Sequence, residues 1–306
     1  MKLLVVGAGV QGQKRAKVAE GDFIGYLDPA IDFAQYKSVN DLIGVDYDAV
    51  AICTPNIVKE DYIHYFIEQG KNLLVEKPLL CKSLDNIIQL RNKAKTRQLV
   101  LYTAYNHRFE PSISFLKEQI RSEQLGKIYF VRLIYGNGTA RLVKNSSWRD
   151  TGLGVLEDLV PHLLDTLFYW FPDSSLDFSL VNASNFENQA PDHGILVSHN
   201  SRMLVSLEVS LCAWRNTFIC DIYGETGSAH INGLCKWGDS EVKLRKRVLP
   251  SGVPLEESLV FPSGDPTWKL EYEHFKDLVQ NNSYEDEGVD FEIQKTLDGL
   301  SEFIEP

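Results

Sequence analysis

The turn Gly7-Ala8-Gly9-Val10-Gln11-Gly12 constrains this chain more than any other feature, because it joins a short apolar strand, Lys2 to Val6, to a helix-like run, Gln13 to Glu20. In that setting each glycine has its own task. The first permits a tight turn, the second lets a diphosphate approach the backbone, and the third lets the helix pack close to the strand. The helix N-terminus also turns unpaired N–H groups and the positive end of its dipole toward the diphosphate, with no basic side chain needed. Gly7, Gly9, Val10, Gln11 and Gly12 are therefore the expected cradle of a dinucleotide; the plainer alternative is an ordinary tight turn.

The next strand, Phe23 to Leu27, ends in Asp28, about 20 positions beyond Gly7. A carboxylate there accepts hydrogen bonds from ribose hydroxyls and repels a 2′-phosphate. No Lys or Arg occurs in Asp28-Pro29-Ala30-Ile31-Asp32-Phe33, so NAD is expected over NADP. A third apolar run ends in Cys53-Thr54-Pro55-Asn56, at the carboxyl end of its strand, where ligands collect in open α/β sheets. Thr54, Pro55 and Asn56 are candidate cofactor contacts.

Short β-branched runs at 2–6, 23–27, 48–53, 72–76 and 99–104 alternate with amphipathic segments such as 59–69 and 83–96. That alternation predicts βαβ units around a doubly wound parallel sheet. Beyond a stretch at 112–124 the runs at 128–136, 194–198, 203–212, 217–223 and 241–249 lengthen and alternate in polarity. They predict an α+β region with a large, mainly antiparallel open sheet, one face covered and the other free for a partner. Segments 269–280 and 290–304 read as closing helices, with apolar residues three or four apart. The expected domains are 1–106 for the dinucleotide and 107–306 for substrate and oligomerisation.

With a net charge of −11 the chain is not expected to bind nucleic acid, which rewards Lys and Arg that displace counterions. The cysteines at 53, 81, 212, 220 and 235 are odd in number and lack C-x-x-C spacing, so free thiols in a reducing cytoplasm are expected and no metal is. Cys53 and Cys220 lie in apolar runs and are expected to be buried. No apolar window is long enough for a membrane span.

Hydride transfer from an alcohol needs a group that accepts the hydroxyl proton. Lys77, in Glu76-Lys77-Pro78, ends the strand 72–76 and is one candidate. The other lies in Leu156-Glu157-Asp158-Leu159-Val160-Pro161-His162-Leu163-Leu164-Asp165. If this segment is helical, Asp158, His162 and Asp165 form one polar stripe beside Leu156, Leu159, Leu163 and Leu167. A carboxylate beside a His fixes its tautomer and raises its basicity. Pro161 removes one helical hydrogen bond and is expected to disturb the turn.

Together GAGVQG, the Asp28 strand end, TPN, EKP, YNHRF and D-x-x-x-H resemble the Gfo/Idh/MocA oxidoreductases, from Lys2 to about Asp165. The resemblance implies a Rossmann domain followed by a domain whose open sheet often forms the subunit interface, hence a homo-oligomer, dimer or tetramer. It implies that Glu76 and Lys77 border the cofactor, that Lys77 positions the reacting hydroxyl, and that His162 is the general acid/base. Asp158, Asn106, Arg108, Trp148 and Arg149 would line the substrate pocket. Where the family often has glycine, this helix reads Leu159-Val160-Pro161.

The leading expectation is an NAD-dependent dehydrogenase or reductase of a sugar, inositol or nucleotide-sugar. Arg141 and Lys144 offer a contact for a substrate phosphate or carboxylate, or else form a solvated loop. Two alternatives stand beside it. One is a nucleotide-binding sensor or partner protein, which the presence of both Lys77 and His162 opposes; the other is a reductase of a non-sugar substrate, which would favour a more apolar pocket.

Overall fold

The computed structural model describes residues 1–146, 149–198, 203–284 and 288–303. The chain divides into two compact units, Met1–Asn106 with Trp268–Gln294, and His107–Thr267 with Lys295–Pro306. The sequence places 268–294 with the second domain; the packing described below places it with the first.

The first unit holds a five-stranded sheet in the order β2-β1-β3-β4-β5. Its strands are β1 (Leu3–Val6), β2 (Phe23–Leu27), β3 (Ala49–Ile52), β4 (Asn72–Glu76) and β5 (Leu101–Ala104), and every pairing is parallel. Helices α1 (Val10–Ala19), α2 (Asn56–Glu68) and α3 (Leu84–Thr96) make three of the four crossovers, and the one from β2 to β3 carries only the short 3-10 helix Val39–Leu42. All residues of β1, β3 and β5 are buried, as expected for a parallel sheet covered on both faces. Strand order reverses between β1 and β3, so the loops after these two strands border the crevice where such sheets take ligands.

The second unit is built on an eight-stranded sheet. Helix α4 (Pro111–Arg121) leads into β6 (Ile128–Gly136), and the short helix α5 (Ala140–Lys144) precedes the long α6 (Val155–Trp170). The remaining strands are β7 (Phe178–Ser184), β8 (His193–Ser198), β9 (Leu204–Ser210), β10 (Thr217–Gly224), β11 (Gly227–Asn232), β12 (Ser240–Lys246) and β13 (Leu255–Phe261). In the order β13-β12-β11-β10-β6-β9-β8-β7 only β6 and β9 pair in parallel. Burial alternates along β9 and β10, with Val205, Leu207, Val209, Phe218, Cys220 and Ile222 inward. Helix α6 covers that face through Leu156, Leu159, Leu163 and Leu167 and lies against β6, β8 and β9. The opposite face is open, as the alternation predicts.

The expected architecture holds, with corrections in detail. β7, β11 and β13 are additional strands. β13 is exposed along its length and charged at Glu256 and Glu257, which masks the apolar signal of a strand. The run 241–249 stops at Lys246. Arg141 and Lys144 sit in helix α5, not in a loop, and α6 runs unbroken through Pro161.

Two helices close the chain, α7 (Thr267–Asn281) and α8 (Gly288–Ser301). Tyr272, Phe275 and Leu278 of α7 join Leu3, Val5, Ala51 and Leu74 in one core cluster. Asp290 of α8 accepts from Arg91, from Thr103 Oγ1 at 2.8 Å and from Tyr105 Oη at 3.0 Å. A core helix and a buried carboxylate with three donors tie this segment to the parallel sheet. Residue 304 of the expected final helix lies outside the described residues.

Candidate active site

In the first unit the turn after β1 has the shape a dinucleotide requires. Gly7 has φ +91°, and a Cβ there would lie 2.7 Å from the carbonyl oxygen of Cys53. A Cβ on Gly12 would lie 1.8 Å from the carbonyl oxygen of Gly7, so only glycine lets α1 start this close to the strand. A Cβ on Gly9 would meet nothing within 4 Å. Gly9 caps α1, Val10 and Gln11 open it on the exposed side, and no side chain occupies the cap. The N–H groups of this first turn are left for an anion.

Asp28 follows β2. Its Oδ2 accepts from the Ala8 N–H at 2.8 Å, and Oδ1 accepts from the N–H groups of Ala30 at 2.9 Å and Ile31 at 3.1 Å. Burial acts to raise its pKa, but these three hydrogen bonds and Lys37 outweigh it and hold the carboxyl below its ordinary value. The side chain is thus an anion that fastens the glycine turn to β2, with further lone pairs on each oxygen for ribose hydroxyls.

After β3, the Thr54 hydroxyl is buried with no hydrogen-bond partner among the described residues, which suits a ligand hydroxyl or amide. Pro55 caps α2, and the side-chain oxygen of Asn56 accepts from Lys59 Nζ at 2.6 Å. Lys59 is 1% exposed, and its Nζ also donates to the carbonyls of Glu76 and Pro78, each at 2.8 Å. These carbonyls flank Lys77, which is half-buried. The Glu76 carboxylate accepts from Arg15 Nε at 2.6 Å; the same guanidinium reaches Glu271 Oε2 at 2.5 Å and stacks 4.2 Å over the Trp268 ring. Burial pushes the Cys53 thiol far up, which removes it as a nucleophile.

In the second unit α6 carries the predicted stripe. Asp165 is fully buried and accepts from Arg108, with Nη2 at 2.6 Å and Nε at 2.9 Å from Oδ1. Asp158 accepts from Arg149 Nη2 at 3.1 Å. His162, 8% exposed, stacks on His107 with ring centroids 4.3 Å apart and planes 23° apart. Tyr135 of β6 meets the His162 ring edge-on at 5.5 Å. Lys236, from the loop after β11, lies 3.2 Å from His107 Nε2 and donates to Tyr135 Oη at 3.1 Å.

Sequence reasoning singled out Lys77, Asp158 and His162 as candidates and did not single out the groups that contact them. Arg15 and Lys59 lie in segments the sequence marks only as helix-like or amphipathic, and both are buried. His107 stood inside YNHRF beside the favoured Arg108, whose guanidinium serves the Asp165 carboxylate. Tyr135 and Lys236 reach the stack only through sheet pairing and carried no local signal. Asn106 is buried at the end of the first unit, and Trp148 lies outside the described residues.

Residues 1–105 match the NAD-binding Rossmann model of the Gfo/Idh/MocA oxidoreductase family, and residues 113–230 match its C-terminal domain model. The chain belongs to the Gfo/Idh/MocA family. As a member it is an NAD-binding oxidoreductase, and the glycine turn, Asp28 and Thr54 are residues that fit that cofactor. This Gfo/Idh/MocA chain is 25% identical over 267 residues to an uncharacterized oxidoreductase of Synechocystis sp., a match over 81% of this chain and 69% of that protein. To inositol 2-dehydrogenase 1 of Saccharopolyspora erythraea it is 30% identical over 143 residues, 45% of this chain and 39% of that protein. The fold superposes on levoglucosan dehydrogenase in complex with NADH with a TM-score of 0.85 at 16% identity, over 99% of this chain and 96% of that one. No helix among the described residues is long and apolar enough to cross a membrane.

Proposed function

We propose that this protein transfers a hydride between nicotinamide and a carbon of a sugar, inositol or nucleotide-sugar, with Lys77 and His162 handling the hydroxyl proton. The observation that carries this reading is the buried imidazole of His162 on the polar stripe of a largely apolar helix. The carboxylates on its polar side are already engaged by Arg149 and Arg108. Burying such a group without use is costly, and a neutral imidazole is the side chain best suited to take a proton near pH 7.

Bound NAD supplies the hydride acceptor. The chain's own residues do the rest. The first turn of α1 holds the diphosphate, Asp28 takes the ribose hydroxyls and disfavours a 2′-phosphate, and Thr54, Pro55, Asn56 and Glu76 border the remaining cofactor. Lys77 donates to the substrate hydroxyl and steadies the alkoxide that develops as His162 removes the proton. Asp158 and Arg149, each partly exposed, offer an acceptor and a donor for neighbouring hydroxyls, and Asn106, Arg108 and Trp148 complete the substrate assignment. The names of the inositol and levoglucosan relatives support a polyol substrate. The five free cysteines fit a cytoplasmic enzyme, and the open sheet face fits association with a second copy.

The test is a panel of inositols, anhydrosugars, free sugars and nucleotide-sugars with NAD, followed at 340 nm, with mass spectrometry of small molecules retained through purification. Reduction of NAD by at least one polyol is expected. A panel in which no polyol reduces NAD and no corresponding ketone consumes NADH overturns the assignment.

A further inference from the structure

The arrangement around His162 holds a positive charge that no residue of the proposed mechanism uses. The ionisable groups of this region come from several elements. On α6 are Asp158 and Asp165, engaged by Arg149 and Arg108. The segment before α4 contributes His107 and Glu110, β6 contributes Tyr135, and the loop after β11 contributes Lys236. Glu110 is directed to the backbone N–H of Cys235 at 2.5 Å, and Asp265 to Thr267.

Lys236 is half-buried, and among the described residues no carboxylate forms an ion pair with it. Its Nζ meets His107 Nε2 and Tyr135 Oη and lies 4.4 Å over the Trp237 ring. Asp265, Glu110 and Asp158 act on it through space, yet burial dominates and lowers its pKa to about 8. It therefore stays mostly charged at neutral pH.

We propose that Lys236 is a positioning residue that keeps His162 in its neutral, proton-accepting form through the stacked ring of His107. An ammonium donating to Nε2 obliges His107 to carry its proton on Nδ1 and to remain uncharged. Two stacked imidazoles 4.3 Å apart cannot both be cations cheaply, and an ammonium one ring away adds to the field that disfavours an imidazolium at His162. Tyr135 serves both ends, accepting from Lys236 and presenting its ring to His162. The consequence is a base available at lower pH than an ordinary histidine would be. This inference rests on the reading of His162 as the proton acceptor.

The test compares the pH dependence of kcat/KM for the full chain with Lys236→Gln and Lys236→Arg. Removing the positive charge raises the pKa of His162, so the acidic limb moves to higher pH in Lys236→Gln, by about one unit, and returns toward wild type in Lys236→Arg. An unchanged limb in a Lys236→Gln protein with normal thermal unfolding overturns the proposal. A readout independent of any variant's folding is the titration of histidine ring carbons by NMR in the wild type, with His162 assigned by His162→Asn. A His162 midpoint below the ordinary value of about 6.5 is expected, and one at or above it overturns the proposal. His162→Asn separates the two claims: retained turnover removes the acid/base reading, while the shift of the His162 NMR midpoint between wild type and Lys236→Gln still reports whether Lys236 acts on the ring.

Discussion

Lys59 grips the backbone on both sides of Lys77. Its ammonium, in a side chain 1% exposed, donates to the carbonyls of Glu76 and Pro78 at 2.8 Å, so the residue assigned to the substrate hydroxyl projects from a clamped loop. Lys59→Met leaves two buried carbonyls and Asn56 without their donor, at about 1–3 kcal/mol for each unsatisfied group. We expect a thermal midpoint several degrees lower and a kcat reduced more than the affinity for NADH. A variant with wild-type kcat would show that the clamp does not position Lys77.

The glycine turn predicts a contrast between two alanine substitutions. At Gly12 the new methyl would lie 1.8 Å from the Gly7 carbonyl oxygen, so Gly12→Ala must displace α1 and lose both stability and NADH binding. At Gly9 the methyl meets no protein atom within 4 Å. Gly9→Ala should fold with an unchanged midpoint yet bind NADH on the order of tenfold more weakly, because the methyl stands where the diphosphate approaches. Fluorescence titration beside thermal unfolding separates the two, and equal effects on both quantities would refute the turn as a diphosphate cradle.

How much of this was legible in the sequence follows from the range of each determinant. Gly7 to Gly12, Asp28 and the strand ends at Thr54 and Lys77 are local signals, a turn type or a switch in periodicity, and they survive in the folded chain. The α6 stripe was readable because helical spacing alone aligns Asp158, His162 and Asp165. What escaped is what folding brings from afar: Arg15 against Glu271, Lys59 against Glu76, Lys236 against His107. The segment 268–294 was misplaced for the same reason. Tyr272, Phe275 and Leu278 form an amphipathic stripe that fits any apolar face, and only packing selects the parallel sheet.

Asp28 yields a pH prediction whose sign is fixed by its depressed pKa. A folded-state carboxyl held below its unfolded value contributes stability above the ordinary carboxylate range, near 4, and that contribution is lost as pH falls through the folded value. Asp28→Asn should therefore flatten the acid side of the stability profile and improve binding of NADPH relative to NADH, by roughly tenfold. Cofactor preference in the wild type should stay level between about pH 6 and 8, where the group is ionised throughout. A preference unchanged by Asp28→Asn would confine Asp28 to holding the turn.

The pair between Arg108 and Asp165 makes a further substitution informative. Asp165 is fully buried and takes two nitrogens of one guanidinium, so Asp165→Asn removes the negative charge that faces a largely buried cation. Breaking such a pair costs about 3–5 kcal/mol, which places the thermal midpoint some 6–12 °C lower. An unchanged midpoint would contradict a structural role for the pair.

The division of labour between cofactor binding and chemistry is tested most directly by turnover of Lys77→Ala, measured at 340 nm with the best polyol, beside its NADH affinity by fluorescence titration. The account predicts turnover reduced by about 100-fold or more with NADH affinity within about twofold of wild type. Retained turnover with lost NADH binding would contradict it.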